Sequence, residues 1–567
     1  MCTLSLNYNP FFRFFKTKRR LSFLKFEIKI ALEPMRTICV LLLLNLNLAA
    51  QYDKPLKVIE CTDMPVLYPT SLISKGRYTR DLGNAELLLD TAGAYCRQSI
   101  TIRSSGVHRI DISARSFSQS SKGIWAAFQI RIDKANAGPP VSVPTLAQTI
   151  FSVSTNISAG THTIDIVSLN NGAVNKYTGR LCLGLVYITK TTATKPPTLP
   201  IEPPSQLVKG QILTANHFKS KVLRGFNIGT SIDRTNQSFI EMRGTGANLA
   251  RMWMNLNRPA GTDTFAFSSG ALAAMDIHVA LAAQKGFYVV IVLNPQPDAL
   301  RQEYWGNTAR AVSLRNSIKK RWQQIANRYK GKAAVAGYDL INEPRYQHYG
   351  FWINWSCQLI EAIRAIDKDH VIIVEHSYSE QMFERMIPYP YSNIVYSPHG
   401  YSPLNITHQG IEGSEILKYP LNTAAATQGV YSKENIFKSI LKTKALEDRF
   451  NVPIFVGEFS CINWAPKNNA GKWSSTEWVN DKITILEAEN WSWVYHAWRE
   501  YEGWDAEIPS SLYERYSFVD AKPVISKSAQ RAARTSAAPT ITMLRNWFSL
   551  NGEIQANANK TITKVKF

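Results

Sequence analysis

Short apolar segments alternate with longer amphipathic ones from residue 206 to about residue 550, and this alternation leaves few architectures open. Eight segments have the composition of buried strands: Val222–Ile228, Leu249–Met254, Tyr288–Leu293, Gly337–Ile341, Val371–Glu375, Ile394–Ser397, Ile454–Val456 and Trp493–Ala497. Helical periodicity is found between them, in Leu272–Gln284, Ala311–Tyr329, Phe351–Ile366, Lys433–Phe450 and Thr476–Glu489. Eight strands with crossover helices predict a (β/α)₈ TIM barrel. The alternative is an open doubly wound sheet, although no G-x-G-x-x-G follows the first strand.

A different pattern, typical of an all-β fold, occupies residues 51–190. Polar and apolar residues alternate in short runs, separated by Gly, Asn and Ser, in Val107–Ala114, Ile124–Ile132, Thr161–Leu169 and Leu181–Ile188. This predicts a β-sandwich of the jelly-roll kind. Residues 191–205 hold five Pro among Thr and Ser, which predicts a semi-rigid linker before the barrel domain of residues 206–550. The tail, 551–567, has no pattern that we interpret.

The N-terminal 50 residues have the features of a secretory signal. A basic start at Met35 is followed by a short apolar run, Ile38–Leu44, and by small residues at Ala49 and Ala50. We take Met35 as the natural start, with residues 1–34 as an over-extended start or a long basic leader. An uncleaved anchor is the alternative, but the apolar run is short for a bilayer. We therefore expect a secreted protein, extracellular or periplasmic, with no stable membrane insertion after signal removal.

Composition narrows the classes of partner. The net charge of +22 favours solubility and anionic surfaces without specifying a ligand. No nucleic-acid-binding module is recognised, so we interpret the charge as a solvated basic surface. A polyanion or membrane-surface binder is the alternative, and it predicts strongly salt-dependent binding. The 14 Trp fit either core packing or the stacking of sugar rings. Seven Cys show no C-x-x-C, although one disulfide among Cys61, Cys96 and Cys182 suits an oxidising compartment.

Two apolar segments end abruptly in a carboxylate. Gly337–Arg345 reads GYDLINEPR, and Pro344 stops the strand just after Asn342 and Glu343. Pro453–Ser460 reads PIFVGEFS and presents Glu458 in the same way. The strand ends of a barrel meet at one face, so the two carboxylates can lie across a glycosidic bond.

The β-rich region resembles the β-sandwich carbohydrate-binding modules attached to plant-wall hydrolases. The resemblance is carried by Gly123–Ile132, by the AGTHTIDI run of residues 159–166 and by the closing Gly184–Ile188. Several such modules bind calcium, and Asp165, Asn170 and Asn171 are candidate ligands, although Asn-Asn-Gly is more often a hairpin turn. A structural spacer is the alternative role for this domain.

The barrel resembles glycoside hydrolase family 5, the cellulase-type family of the large retaining barrel clan, from Val222 to about Trp498. The resemblance implies that Glu343, after strand 4, is the general acid/base and that Glu458, after strand 7, is the nucleophile. It further implies substrate-site roles for five residues: Arg251 beside the nucleophile, Asn342 on the sugar 2-hydroxyl, His399 near the acid/base, Tyr401 on the nucleophile, and Trp498 as the floor under the attacked sugar. No cofactor or catalytic metal is implied.

One position departs from the family pattern. A His usually follows strand 3, but the stretch Val290–Pro297 carries Asn294 there. Asn294 is therefore the candidate substrate-binding residue at this position, and the departure leaves substrate recognition beside the carboxylates open. Other acidic residues near strand ends rank lower because they lack the flanking motifs: Glu375, Glu500, Asp505 and Glu507. Trp305 and Trp504 are candidate cleft platforms, with packing as the alternative.

The predicted function is that of a secreted retaining β-glycosidase acting on a plant-type polysaccharide, first of all an endo-acting β-glucanase. A β-mannanase, another family 5 specificity or an exo-acting glycosidase is the alternative within the class. A carbohydrate-binding protein with an inactive barrel is the alternative outside it.

Overall fold

The computed structural model describes residues 54–61, 64, 66–67, 80–81, 86–89, 92–117, 125–169, 180–200, 202, 205–229, 235–296, 303–344, 348–377, 380–421 and 431–553. The predicted signal segment and the predicted tail beyond residue 553 lie outside these residues. In the described part of the chain, no helix is both long enough and apolar enough to cross a bilayer.

Two antiparallel sheets form the N-terminal region, as the alternating pattern predicts. Their strands are β1 (Pro55–Glu60), β2 (Val66–Leu67), β3 (Arg80–Asp81), β4 (Glu86–Leu89), β5 (Tyr95–Ile102), β6 (Gly106–Ser116), β7 (Ala126–Ile132), β8 (Ala135–Asn136), β9 (Val141–Val143), β10 (Thr149–Ile157), β11 (Gly160–Ser168) and β12 (Leu181–Lys190). One sheet runs β10-β6-β12-β4-β3, with β1 also on β12, and the other runs β2-β5-β11-β7-β8, with β9 on β7.

The sheet that contains β6 is covered on both faces. Ile110 and Ile112 point into the core between the two sheets, as period-2 patterning requires. The alternate residues Arg109 and Asp111 are also buried, and they pair with each other at 2.9 Å. Arg109 Nη1 donates to the Lys195 carbonyl at 2.8 Å, so the segment predicted as a linker packs on this sheet. Further along that segment, the Leu199 amide donates to the Phe450 carbonyl of the barrel region at 2.8 Å.

The remainder of the chain builds the barrel. Its strands are β13 (Arg224–Ile228), β14 (Leu249–Asn257), β15 (Ala266–Phe267), β16 (Tyr288–Gln296), β17 (Val335–Asp339), β18 (Val371–Glu375), β19 (Ile394–Ser397), β20 (Phe455–Val456), β21 (Ser492–Tyr495), β22 (Phe518–Val519) and β23 (Lys522–Pro523). The helices are α1 (Asn236–Gly244), α2 (Ala271–Lys285), α3 (Ala309–Tyr329), α4 (Tyr349–Arg364), α5 (Gln381–Arg385), α6 (Leu404–Thr407), α7 (Lys433–Ser439), α8 (Leu441–Phe450), α9 (Ser474–Ala488), α10 (Lys527–Ala532) and α11 (Pro539–Glu553).

Eight parallel strands run in the order β19-β18-β17-β16-β14-β13-β21-β20. Two isolated parallel bridges, Tyr396 with Ile454 and His399 with Glu458, join β19 to β20 and close the ring. The TIM-barrel prediction is therefore confirmed, and the open doubly wound alternative is wrong because its outer strands would not meet.

Element boundaries differ from the predictions where polar residues continue or end a strand. The fourth strand, β17, ends at Asp339, two residues before the predicted end, although the Leu340 amide still donates to the Ile373 carbonyl of β18 at 3.1 Å. Strands β14 and β16 pair as far as Asn257 and Gln296, beyond their apolar runs. The predicted helix 433–450 is two helices that meet at Ile440. Helix α1 was not predicted, because its residues have no apolar periodicity.

The sandwich packs directly on the barrel helices α4 and α5. Val58 and Tyr187 belong to the same buried apolar cluster as Ile353 of α4, and Asn354 Nδ2 donates to the Val58 carbonyl at 2.9 Å. Gly350, at the start of α4, lies so close to β1 that an added Cβ would stand 3.1 Å from the Glu60 nitrogen. The two regions therefore share one hydrophobic core at this contact.

A buried ion pair crosses the same contact. Glu86 of β4 accepts from Arg115 at 2.5 Å and from Gln148 at 2.6 Å, and Arg385 of α5 lies 3.2 Å from its carboxylate. Burial opposes ionisation of Glu86, but Arg115 and Arg385 lower its pKa below the usual value. The carboxylate is thus held charged between the sandwich and the barrel.

The described cysteines, Cys61, Cys96, Cys182, Cys357 and Cys461, are buried free thiols. The expected disulfide among the first three is not formed. Cys96 Sγ lies 4.0 Å from the Ile166 carbonyl, and burial without a sulfur partner is common for small apolar-like thiols.

Candidate active site

Arg251 lies at the centre of the polar cluster at the carboxyl ends of the barrel strands. It extends from β14, is fully buried, and uses four contacts to hold the surrounding acids. Its Nε donates to Asp339 Oδ2 at 2.8 Å and its Nη1 donates to Glu458 Oε1 at 2.8 Å. Its Nη2 donates to Glu375 Oε1 at 2.5 Å and to Asn342 Oδ1 at 2.9 Å. One guanidinium therefore fixes four side chains from three strand ends.

Glu458 follows β20 and is 4 % exposed. Arg251 holds its Oε1, and the Tyr401 hydroxyl donates to its Oε2 at 2.9 Å. Burial and the neighbouring Glu458 raise the pKa of Tyr401 well above its usual range, so Tyr401 keeps the proton that it donates. Two donors therefore fix the orientation of this buried carboxylate.

Glu343 follows β17 and lies in a different environment. Its side chain is 29 % exposed, and its Oε1 lies 3.0 Å from His399 Nδ1. The Glu343 backbone has φ +43°, a strained conformation for a residue with a side chain. Its amide donates to Glu375 Oε2 at 2.7 Å, which holds the backbone in that conformation.

His399 bridges the acids on both sides of the cleft. Its Nδ1 lies 3.0 Å from Glu343 and 3.7 Å from Glu458, and its Nε2 lies 3.3 Å from Glu375. Although burial disfavours the cation, Glu375 and Glu458 raise the pKa of His399 well above its usual value. The raised pKa favours the protonated imidazole of His399, which adds a second positive group to the cluster beside Arg251.

Two further buried acids lie beneath the cleft. Burial and the nearby Glu375 raise the pKa of Asp339 well above its usual range. Burial also opposes ionisation of Glu375, but His399 and Arg251 lower its pKa. The two pKa values are thus moved in opposite directions, which favours the proton on Asp339 over Glu375. Sequence reasoning ranked Glu375 low, and no motif marks Asp339.

Asn342 and Asn294 both lie near this cluster. The Asn342 amide donates to the Leu293 carbonyl at 2.8 Å, which ties the turn before Glu343 to the third barrel strand. Asn294 is fully buried and donates to Asn255 Oδ1 of β14 at 3.1 Å. The position at which the family has a His is thus bonded to the neighbouring strand.

Trp498 is largely buried in the structure. It is 3 % exposed, and its Nε1 donates to Ser238 Oγ of α1 at 2.8 Å. Its ring lies 5.1 Å from that of Phe226, which also contacts Phe548 of the outer helix α11. Trp498 therefore packs against the first barrel strand and helix α1, and its role as a sugar floor stays a prediction.

His496 also lies at the end of strand 8. It is 4 % exposed, and its Nδ1 lies 3.7 Å from Glu458 Oε2. Its ring stacks on Trp253 at 6.0 Å and approaches Trp504 at 5.3 Å. In the sequence WVYHAW, two Trp and a Tyr lie near this His and are equally plausible candidates for the cleft. Only the register of β21 identifies which residue faces the cleft.

The other candidates have ordinary structural partners. Asp505 accepts from Arg534 at 2.6 Å and Glu507 accepts from Arg499 at 2.6 Å. Trp305 packs among Trp352 and Trp355, so packing rather than a cleft platform describes it. Trp504 is half-buried beside Tyr401, with ring centroids 6.0 Å apart.

Candidate metal ligands occur in two places, in the cleft and in the sandwich. Glu343, His399 and Glu458 each offer an atom within 4.8 Å of the other two, a spacing that a divalent ion also accepts. In the sandwich, Asp165 accepts from Arg97 at 2.6 and 2.7 Å. Asn170 and Asn171 lie outside the described residues, so calcium binding there stays a prediction.

Comparison with known proteins gives the family. Residues 213–502, just over half of the chain, match the family model described as Cellulase (glycosyl hydrolase family 5). The chain belongs to glycosyl hydrolase family 5. The resemblance on which the sequence predictions rested is thereby confirmed.

Similar curated proteins match over limited lengths. Endoglucanase 3 of Fibrobacter succinogenes is 25 % identical over 36 % of this chain and 36 % of its own length. Endoglucanase H of Acetivibrio thermocellus is 22 % identical over 33 % of this chain and 19 % of its own length. Mannan endo-1,4-beta-mannosidase A of Podospora anserina is 34 % identical over 12 % of this chain and 19 % of its own length. The family 5 chain thus spans about a third or less of these relatives.

Among solved structures, endoglucanase Cel5A from Thermotoga maritima aligns with a TM-score of 0.42 and 21 % identity, covering 52 % of this chain and 94 % of that one. The cellulose synthase subunit Z of Clostridioides difficile aligns with a TM-score of 0.41 and 24 % identity, covering 51 % and 95 %.

Proposed function

We propose that this family 5 chain is a retaining β-glycoside hydrolase, with Glu458 as the nucleophile and Glu343 as the general acid/base. The observation that carries the proposal is the separation and contrast of the two carboxyl groups. Oxygens of Glu343 and Glu458 lie within 4.8 Å of each other. Retaining enzymes place these groups about 5–5.5 Å apart, and inverting enzymes need about 6.5–9.5 Å for a water.

The environments suit the two roles. Arg251 and Tyr401 both donate to Glu458, which positions its carboxyl group to attack the anomeric carbon. Glu343 is more exposed and touches His399, so it can reach a leaving group and exchange its proton with solvent. Arg251, Asn342, His399 and Tyr401 would then be the residues that position the acids and the substrate.

The reaction follows in two balanced steps. A Glu458 oxygen forms a bond to the anomeric carbon as the bond to the leaving sugar oxygen breaks, and Glu343 gives its proton to that oxygen. Glu343, now a carboxylate, then removes a proton from water while the water oxygen bonds to the anomeric carbon and Glu458 leaves. Two displacements return the original configuration. These two displacement steps need no metal or cofactor.

We propose a β-1,4-glucan as the substrate and endo action as the mode. The two endoglucanase names among the relatives support this choice, and the sandwich on the barrel is consistent with a polymeric substrate. A β-mannan is the second candidate, supported by the mannosidase relative. We also propose, from the basic and apolar segment that starts at Met35, that the protein is secreted.

The test combines a substrate panel with rescue by azide. Carboxymethyl cellulose, barley β-glucan, xyloglucan, glucomannan, galactomannan and xylan are assayed for reducing sugar with the wild type, Glu458→Ala and Glu343→Ala. On an aryl β-cellobioside with a good leaving group, azide should rescue Glu458→Ala to an α-glycosyl azide, because azide then makes the only displacement. It should rescue Glu343→Ala to a β-glycosyl azide, because azide intercepts the covalent intermediate.

The azide products separate the alternatives. Opposite anomers from the two variants establish both roles and the retaining course. Full activity in Glu458→Ala would remove it as the nucleophile. A wild type that binds glucan but cleaves nothing in the panel or the aryl cellobioside would identify a carbohydrate-binding protein with an inactive barrel.

A further inference from the structure

His496 presents a buried nitrogen to the same side of the cleft as the nucleophile. Within the described residues, no protein group forms a hydrogen bond with His496 Nδ1. The side chain is nevertheless only 5 % exposed, and a buried polar atom without a hydrogen bond is unfavourable. This cost is removed when a ligand supplies the missing partner.

The position of that partner is fixed from two sides. His496 Nδ1 lies 3.7 Å from Glu458 Oε2, which is too far for a good direct hydrogen bond. One oxygen atom can, however, lie about 2.8 Å from both, because twice that length exceeds their separation. A hydroxyl in this place would donate to Glu458 Oε2 and share a second hydrogen bond with His496.

The ring of His496 has little freedom to move away. It stacks on Trp253, with an angle of 27° between the planes, and meets Trp504 edge-on at 67°. The His496 backbone amide donates to the Phe459 carbonyl at 3.0 Å, next to the nucleophile. Strand 7 and the aromatic rings thus preorganise the nitrogen before substrate binds.

We propose that His496 is a substrate-binding residue that recognises the 2-hydroxyl of the sugar attacked by Glu458. The assignment rests on the proposed glycosidase function. Attack by one Glu458 oxygen on the anomeric carbon brings the hydroxyl of the adjacent carbon, the 2-hydroxyl, closest to the other oxygen. That hydroxyl can donate one hydrogen bond and accept two, which suits Glu458, His496 and the predicted partner Asn342.

This contact gives His496 a role in selecting substrate. The 2-hydroxyl is equatorial in glucosides and axial in mannosides, so a fixed nitrogen and a fixed carboxylate oxygen accommodate one orientation better than the other. A site built to bond a hydroxyl strongly rejects substrates that lack it, because its own buried groups then stay unpaired.

A double-mutant cycle between enzyme and substrate tests the proposal. The enzymes are the wild type, His496→Phe, which keeps a ring without the nitrogen, and His496→Asn, which keeps a hydrogen-bonding group. The substrates are 2,4-dinitrophenyl β-cellobioside and its analogue without the 2-hydroxyl on the attacked glucose. We expect His496→Phe to lower kcat/KM roughly 10- to 100-fold on the first and less than about threefold on the second. Partial recovery is expected for His496→Asn.

His408 supplies the matched control. It is another buried His beside Tyr401 and Trp504, but its Nδ1 lies 2.8 Å from Thr407 Oγ1. His408→Phe should therefore change kcat/KM by the same factor on both substrates. Near-ultraviolet circular dichroism of each variant checks that the aromatic cluster is intact, and the Asn variant carries the test if the Phe variant does not fold.

The outcomes are separable from those of the proposed function. An equal loss on both substrates in His496→Phe, or coupling to another hydroxyl in a 3-deoxy or 6-deoxy analogue, would overturn the assignment. A wild type that cleaves neither substrate, with Glu458→Ala indistinguishable from it, would instead count against the glycosidase function itself.

Discussion

Several buried acids surround Arg251, and Glu375 is the one that contacts both Glu343 and His399. It accepts from Arg251 and from the backbone amide of Glu343, and it lies 3.3 Å from His399. Glu375 itself bonds to no substrate atom in the proposed reaction. Its effect on the reaction is therefore exerted through Glu343 and His399, which makes it a positioning residue.

Glu375→Gln removes the charge and leaves an oxygen for the Glu343 amide. Because Glu375 raises the pKa of His399, we expect the His399 pKa to fall in the variant, with a roughly 10- to 100-fold loss of kcat/KM. Nuclear magnetic resonance titration of the imidazole measures the first effect. Glu487→Gln is the control: its partner Arg224 lies on the first barrel strand, and we expect no change at His399.

The pH dependence of the free energy of unfolding tests the interaction between Glu375 and His399 independently. A His with a raised pKa stabilises the fold fully below its unfolded pKa of about 6.5, and this stability is lost as pH rises through the folded value. Asp339, whose pKa is also raised, contributes with the same sign. We therefore expect the free energy of unfolding in urea to fall from pH 6 to pH 9. The fall should be smaller in Glu375→Gln, and equal slopes would contradict the charge assignment.

Residue-level predictions from sequence succeeded where a motif joins a strand to a turn. Asn342-Glu343-Pro344 and Gly457-Glu458-Phe459 mark their strand ends, so the sequence predicts both carboxylates at one face. The position of His496 is not predictable in this way, because aromatic residues on both sides of a short strand look alike in sequence. Asp339 and Glu375 acquire their pKa shifts from burial and from distant strands, which local sequence does not encode.

At the element scale, the join between β19 and β20 carries the nucleophile. The Gly400 amide donates to the Glu458 carbonyl at 2.7 Å, which connects the strand of His399 to that of the nucleophile. Gly457, the residue before Glu458, has no room for a side chain. An added Cβ would lie 2.7 Å from Ser397 Oγ, 3.2 Å from His399 Nε2 and 3.3 Å from Arg251 Nε. The glycine permits this close approach.

Gly457→Ala should therefore disturb the site and the fold together. We expect a loss of about 1–3 kcal/mol in the free energy of unfolding from overpacking. We also expect a drop in kcat of at least about tenfold as His399 shifts. Gly244→Ala, where the new methyl meets open space at the end of α1, should leave activity unchanged. Equal behaviour of the two variants would show that the join tolerates side chains.

Elements themselves were largely predictable, since five long helices and eight apolar strands were located from period and composition. Their ends were less predictable. The predicted helix 433–450 is interrupted at Ile440, whose backbone stays near the right-handed helical region. Because the interruption occurs at neither a glycine nor a proline, the sequence does not signal it. Strand β16 continues through Asn294 because β14 offers it a parallel partner, which is a tertiary effect.

At the scale of the whole molecule, the sandwich and the barrel are one packed body in the contact between β1, β12 and α4. The five prolines of residues 191–205 predicted a spacer, which composition alone favours. The carbonyls of this segment are instead bonded by Arg109, and its Leu199 amide is bonded to Phe450. Composition predicts how stiff a linker is, but it does not predict which surfaces the linker packs on.

Arg385→Met tests the coupling of the two regions. The substitution leaves Glu86 buried with only its partners Arg115 and Gln148, so we expect a loss of about 2–4 kcal/mol in unfolding free energy. Calorimetry of the wild type should show one joint transition. Arg310→Met, at an exposed pair with Glu303, should cost less than about 1 kcal/mol. Two separate transitions, with the barrel unaffected by Arg385→Met, would contradict the coupling.

The Glu86–Arg385 pair also bears on how such a chain can change over generations. A substitution at either residue removes a charged partner from the other in a buried contact, so we expect the two positions to vary together. Exchange of the sandwich for one from another enzyme, by recombination within residues 191–205, would separate these partners. We therefore expect the docked sandwich to be inherited together with its own barrel, as a single unit of descent despite the two folds.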